Sequence, residues 1–249
     1  MRSDAVFHTP ALRDRAAVQD MDSMFSRFLI SAVFAGACAG LLTGILQLVF
    51  VQPVLLHAEL YETGALVHFG AEAVSAHPEL PGFDLVRDGL SLIFTMLTYT
   101  GYALIMIGAM SIAEERGAPI SARWGILWGI AGFVAFHLAP GFTLAPEVPG
   151  VAAADVGARQ VWWFATAAAA AVALWLIGFG RSPVAIAIAV VLLAAPHLIG
   201  APEPDSFSGP VPTEIGALFA ARALGVGMAA WVMLGACAGY FWQSEGARV

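Results

Sequence analysis

The sequence predicts an all-α integral membrane protein, a polytopic helical bundle of six transmembrane helices, or five if the shortest does not cross. Of 249 residues, 59% are hydrophobic and 12% charged, against about 45–50% and 25% in soluble domains. Mean hydropathy is +0.80. Six stretches approach the roughly 20 apolar residues that a spanning helix needs. They run from Phe28 to Pro53, Gly89 to Ala113, Ala122 to Ala139, Val161 to Phe179, Pro183 to Ile199 and Ile215 to Trp242.

Each stretch carries its own punctuation. Gly36, Gly40 and Gly44 recur at every fourth position of the first, and Gly235 and Gly239 do so in the sixth. Such spacing lets backbones approach closely. The pentapeptide Gly-Ala-Cys-Ala-Gly occurs in both, around Cys38 and Cys237, which suggests that the first and last helices pack together. Trp124 and Trp128 open the third span and Trp162 and Trp163 the fourth, as interfacial anchors. The fifth is the least secure, because Pro183 opens it and Pro196 interrupts it. Residues 1–23 are polar, lack an apolar core and precede a second methionine, Met24. They read as a disordered cytoplasmic extension before a single transmembrane domain, 24–249.

Charge orients the bundle, since arginines near helix ends concentrate on the cytoplasmic side. Arg2, Arg13, Arg15, Arg27, Arg116, Arg123, Arg181 and Arg248 fall on one side of the six-span arrangement. The opposite connections hold Glu59, Glu62, Glu72, Glu79, Asp84, Asp88, Glu147, Asp155, Glu203, Asp205 and Glu214, with only Arg87 and Arg159 among them. Both termini are therefore expected in the cytoplasm of a cell-membrane protein. The chain has no lysine, which excludes a Walker A loop and a lysine Schiff base. No enzyme activity is read from it. The lipid bilayer is its evident partner, a homo-oligomer is compatible with its small-residue helices, and no nucleic-acid partner is expected.

The three acidic connections repeat a motif. His77-Pro78-Glu79-Leu80-Pro81-Gly82, Pro146-Glu147-Val148-Pro149-Gly150 and Pro202-Glu203-Pro204 each precede an acid and an arginine: Asp84/Arg87, Asp155/Arg159 and Glu214/Arg222. Three related helical hairpins would explain this, as would the ordinary abundance of proline and acid in such loops.

His57, His137 and His197 sit where apolar runs meet these connections. Counting about 1.5 Å per residue puts His137 and His197 both roughly 20 Å above the arginine-rich boundary. An ionisable residue inside the hydrocarbon is a functional candidate by default. His57 falls at the surface. Imidazole with carboxylate and carbonyl oxygen suits a borderline divalent ion, so His57, His137, His197, Glu59, Glu62, Glu147 and Asp155 form the candidate metal set. Pro53 and Pro196 release carbonyls that could line a polar path. Gln47 and Gln52 either extend that path or bond between helices. Arg222 and Arg159 are expected in structural ion pairs, Arg222 with Asp155, Glu214 or Asp88. Left unpaired, Arg222 would favour an anionic or chelated substrate.

From Met24 onward the chain resembles the CbtA family of cobalt transporter subunits. The resemblance rests on Met24-Phe25-Ser26-Arg27, Gln52-Pro53 with His57-Ala58-Glu59 and Tyr61-Glu62, and Phe136-His137-Leu138-Ala139-Pro140. It continues through Pro146 to Gly150, Ala153-Ala154-Asp155, Arg159-Gln160-Val161-Trp162-Trp163 and Pro196-His197-Leu198-Ile199-Gly200-Ala201-Pro202. It implies cobalt uptake linked to cobalamin metabolism, a small CbtB-type partner with one membrane helix and a histidine-rich tail, and five spans. Co2+ would be substrate, with no tightly bound cofactor. Two other readings stand beside transport: His137 and His197 as axial haem ligands of an electron-transfer protein, and a non-transporting membrane scaffold.

Overall fold

The computed structural model describes residues 10–68 and 75–247, with side chains from Met21 onward other than Asp22. Arg2, Glu72 and Arg248 lie outside the described residues, as do the side chains of Arg13 and Arg15. Among the described residues, eight α-helices form six rods and there are no strands. α1 (Pro10–Leu46) passes through a π-helical turn (Gln47–Val51) into α2 (Gln52–Glu62). α3 is Leu85–Glu114. α4 (Ala122–Phe133) continues through a second π turn (Val134–Leu138) into α5 (Ala139–Thr143), and α6 (Val156–Phe179), α7 (Pro183–Ile199) and α8 (Thr213–Gly246) complete the bundle.

Five helices, Ser23–Glu62, Leu85–Glu114, Ala122–Thr143, Val156–Phe179 and Thr213–Gly246, are long and apolar enough to cross a membrane, and Pro183–Ile199 is a shorter apolar helix. The protein is an integral membrane protein. α7 nevertheless returns the chain from the end where α6 stops to the end where α8 starts. The extension expected at 1–23 is corrected in part: the backbone is helical from Pro10, continuous with α1. Residues 11–23 contain neither glycine nor proline, so no breaker interrupts a run rich in good helix formers.

α1 packs against α3 and α8, α8 against α4, and α6 against α7 and the second π turn. The three up-and-down pairs are thus packed differently, because α7 leans on α6 rather than on α8. α1 and α8 lie side by side, with Cys38 and Cys237 close to each other across them. The glycine stripes face elsewhere. A methyl group at Gly36 or Gly40 would strike the backbone of Thr100 or Met96 in α3, and one at Gly235 or Gly239 the backbone of Gly125 or Ser121 at α4. Glycine is needed because the neighbouring backbone occupies the side-chain position.

Both ends are locked by polar contacts. At the terminal end, Arg27 donates to the Trp242 carbonyl through Nε (3.0 Å) and Nη2 (2.9 Å), and Trp242 Nε1 donates to Glu114 (2.9 Å). This joins α1, α3 and α8. At the other end Val54, Ala58 and Tyr61 of α2 are covered by Val148, Val211 and Ile215. The 144–155 and 200–212 connections are stitched there by Ala152 N–H to the Ser208 carbonyl (2.8 Å).

Candidate functional site

His57 rides on α2, whose start is set by the π turn and by Pro53 in its first turn. One helical turn on, Tyr61 stacks with its ring at 5.6 Å between centroids. The His57 Nε2 atom is buried and has no hydrogen-bond partner. Glu59 and the exposed Glu62 follow on the same helix, and His77 lies within electrostatic reach of the ring. This is the loop end of the bundle.

Beside it stands a network that the sequence reading missed. Asp88 is only 2% exposed and accepts from Gln52 Nε2 (2.8 Å), Arg87 Nε (2.7 Å) and Nη2 (3.2 Å), and Asp84 N–H (2.9 Å). Asp84 caps α3 by accepting from Arg87 N–H (2.6 Å), and Arg87 Nη2 also donates to the Gly82 carbonyl (3.0 Å). An ionised carboxylate is tolerable in such a burial because charged and neutral donors saturate both oxygens. The sequence signal was Asp84-x-x-Arg87-Asp88, a helix start followed by a charge pair, together with Gln52. Gln47 likewise bonds between helices, accepting from Thr95 Oγ1 (3.1 Å).

His137 lies in the π turn between α4 and α5, where Pro140 is accommodated in the first turn of α5. Its Nδ1 accepts the indole N–H of Trp231 (2.9 Å), and its ring packs against Gly227 of α8. An indole nitrogen can only donate. The lone pair of neutral His137 is therefore committed at Nδ1, and its remaining proton sits on Nε2. While that bond holds, the ring is a hydrogen-bond donor and not a metal ligand. It lines a cavity of about 280 Å³ with Tyr102, Arg159, Trp163 and Pro146. At this cavity Arg159 pairs with Glu147 (2.7 Å), while its buried Nε has no partner. Asp155 accepts from Ala158 N–H (2.9 Å) as the cap of α6.

His197 is elsewhere. Its Nδ1 is 3.2 Å from Thr143 Oγ1 at the end of α5, with Phe142 and Trp162 edge-on to its ring. Trp162 faces His197 while its neighbour Trp163 faces the His137 cavity, so adjacent residues of α6 attend the two imidazoles separately. Neither cavity described for the molecule is lined by both histidines, which removes the support for a haem clamped between them. Among the described residues no three His, Cys, Asp or Glu side chains gather into a group able to hold a metal ion.

Arg222 corrects the ion-pair expectation. It donates through Nη1 to the Phe50 carbonyl (3.0 Å) and pairs with no carboxylate among the described residues. Of the partners offered for it, Asp88 is saturated by Arg87 and Gln52, and Asp155 caps α6. The π turn and Pro53 disturb the regular carbonyl ladder at this point of α1, and a carbonyl freed from helical pairing accepts a guanidinium well.

No curated protein and no solved structure is significantly similar to the chain. The family model described as Probable cobalt transporter subunit (CbtA) matches residues 25–243, nearly the whole of its length, and the chain belongs to that family.

Proposed function

We propose that the protein is the membrane subunit of a divalent-metal uptake system with Co2+ as cargo. It would sit in the bacterial inner membrane with both termini cytoplasmic and act with a small histidine-rich subunit of one membrane helix. The carrying observation is the buried, unpartnered Nε2 of His57 at the acidic end of the bundle. Of the three imidazoles it is the one with no ring nitrogen bonded to another side chain in the described contacts.

The loop acids raise the local cation concentration. His57, with water and Glu59 or Glu62, receives the ion, and His197 passes it on through the nitrogen not engaged with Thr143. Arg159 holds Glu147, and Asp155 is a cap, so neither acid is free to bind the cargo strongly. His137 acts through its Nε2 proton on the water or chelating groups that accompany the metal. Single-imidazole stations suit conduction, which requires sites weak enough to release the ion. Membrane potential, about 2.3 kcal/mol per charge at 100 mV, supplies a driving force without ATP.

Proteoliposomes containing the chain alone, and then with its partner, should take up radiolabelled cobalt under an imposed potential. His57→Ala should lower the rate roughly tenfold, equivalent to about 1.4 kcal/mol. Unchanged uptake by folded His57→Ala rejects the receiving role, and absence of flux in every combination leaves the scaffold reading.

A further inference from the structure

A second and larger cavity, about 490 Å³, opens between α3, α4 and α6 at the terminal end, remote from His57. Its volume is in the range of small-molecule sites. Its walls are apolar: Trp124, Trp128, Trp175 and Phe179 stand with Leu127 and Leu174 around small residues such as Ala131 and Ala171. α3 touches α4 only sparsely, so the cavity opens sideways between helices, toward the hydrocarbon.

One arginine touches a wall residue at this end, and two more are close in sequence to others. The guanidinium carbon of Arg116 lies 5.2 Å from the centroid of the Trp175 ring, a cation–π contact on a wall residue. Arg123 immediately precedes Trp124, and Arg181 follows Phe179 at the end of α6; both are exposed. None of the three pairs with a carboxylate among the described residues. Of the nearby acids, Glu114 takes the Trp242 indole and stands 3.8 Å from Arg27, which leaves Glu115 as an exposed neighbour. An apolar slot ending in uncompensated guanidinium groups at a membrane boundary is complementary to one kind of molecule.

We infer that this cavity binds an anionic phospholipid, with an acyl chain between α3, α4 and α6 and the headgroup phosphate among Arg116, Arg123 and Arg181. Basic pockets between membrane helices recognise anionic headgroups in this way, and arginine presents paired donors to phosphate oxygens. The cavity adjoins that of His137 through Tyr102 and Phe136, but the lipid site uses none of the residues assigned to the metal.

The test uses the full chain in phosphatidylcholine vesicles, with tryptophan fluorescence quenched by dibrominated phosphatidylglycerol or dibrominated phosphatidylcholine. Phosphatidylglycerol should quench at about tenfold lower mole fraction. Gly178→Leu, which extends into open space within the cavity wall, should reduce quenching by both lipids. In the combined Arg116→Gln, Arg123→Gln, Arg181→Gln variant the headgroup preference should disappear. If that variant does not fold, Arg116→Gln alone should lose roughly fivefold of the preference. Equal quenching by both lipids, or a preference that survives the arginine changes, overturns the inference. Quenching by neither lipid also overturns it and points to a protein helix or a second copy covering the cavity.

Discussion

The indole N–H of Trp231 in α8 is bonded to Nδ1 of His137 in the π turn of the α4–α5 rod, at 2.9 Å. Trp231 is 2% exposed and lies in the main core beside Phe133 and Leu234. The bond therefore ties the protonation state of one imidazole to the seating of a core side chain. Replacing either partner should destabilise the protein, and the double mutant Trp231→Phe, His137→Phe should show a coupling of about 1 kcal/mol. Thermal unfolding in detergent measures it. Additive single-mutant effects would mean that the bond contributes nothing.

The glycine contacts predict a contrast between positions of identical composition. Gly235→Ala forces a methyl group against Gly125 and Gly129 of α4 and should cost about 1–3 kcal/mol. Gly101→Ala meets nothing within 4 Å and should be neutral or stabilise α3 by about 0.5–1 kcal/mol. Compared in one detergent, the unfolding midpoint should fall for Gly235→Ala and hold or rise for Gly101→Ala.

Asp88 and Asp84 make a second ordered pair. Asp84→Ala removes one cap bond to Arg87 N–H, whereas Asp88→Ala strands both Arg87 and Gln52. The Asp88 variant should unfold at the lower temperature. It should also expose α2 and the start of α3 to limited proteolysis, since Gln52 is what Asp88 ties to α1–α2. Equal midpoints for the two would show that the buried carboxylate holds nothing together.

The two cysteines offer a chemical check on helix adjacency. Cys38 and Cys237 are free thiols close to each other across α1 and α8. Mild oxidation with a membrane-permeant oxidant should join them within one chain, seen as a mass loss of two hydrogens and a faster-migrating band. Cys38→Ser should abolish both signals. A linkage only between chains would contradict this proximity.

Much of the fold was legible because length, hydropathy and helix punctuation are one-dimensional signals. Pro183 and Gly200 bracket α7, and Asp84, Ser121, Asp155 and Ser182 each cap the helix that follows. What the sequence conceals is rotation about each helix axis. In lipid an apolar residue is acceptable on every face, so nothing in Gly36-x-x-x-Gly40 tells whether α3 or α8 lies opposite. The same loss explains the histidines. Counting residues measures depth, and His137 and His197 can share a depth while one packs on Trp231 of α8 and the other on Thr143, Phe142 and Trp162. Arg222 was misread because a carboxylate was assumed as its only acceptor, whereas a helix disturbed by a π turn offers a backbone carbonyl.

The 17 residues of α7 extend about 25 Å, less than the roughly 30 Å of a typical hydrocarbon core. Its end residues Leu198 and Ile199 are 85% and 82% exposed, and the tight turn at Gly180 leaves no slack, since a methyl group there would strike the Leu176 carbonyl. A helix this short is accommodated by local thinning of the bilayer, by snorkelling of flanking residues or by association with neighbouring helices. For a helix of this length a thinner bilayer is the better match, so α7 should be held more firmly in short-chain than in long-chain lipid.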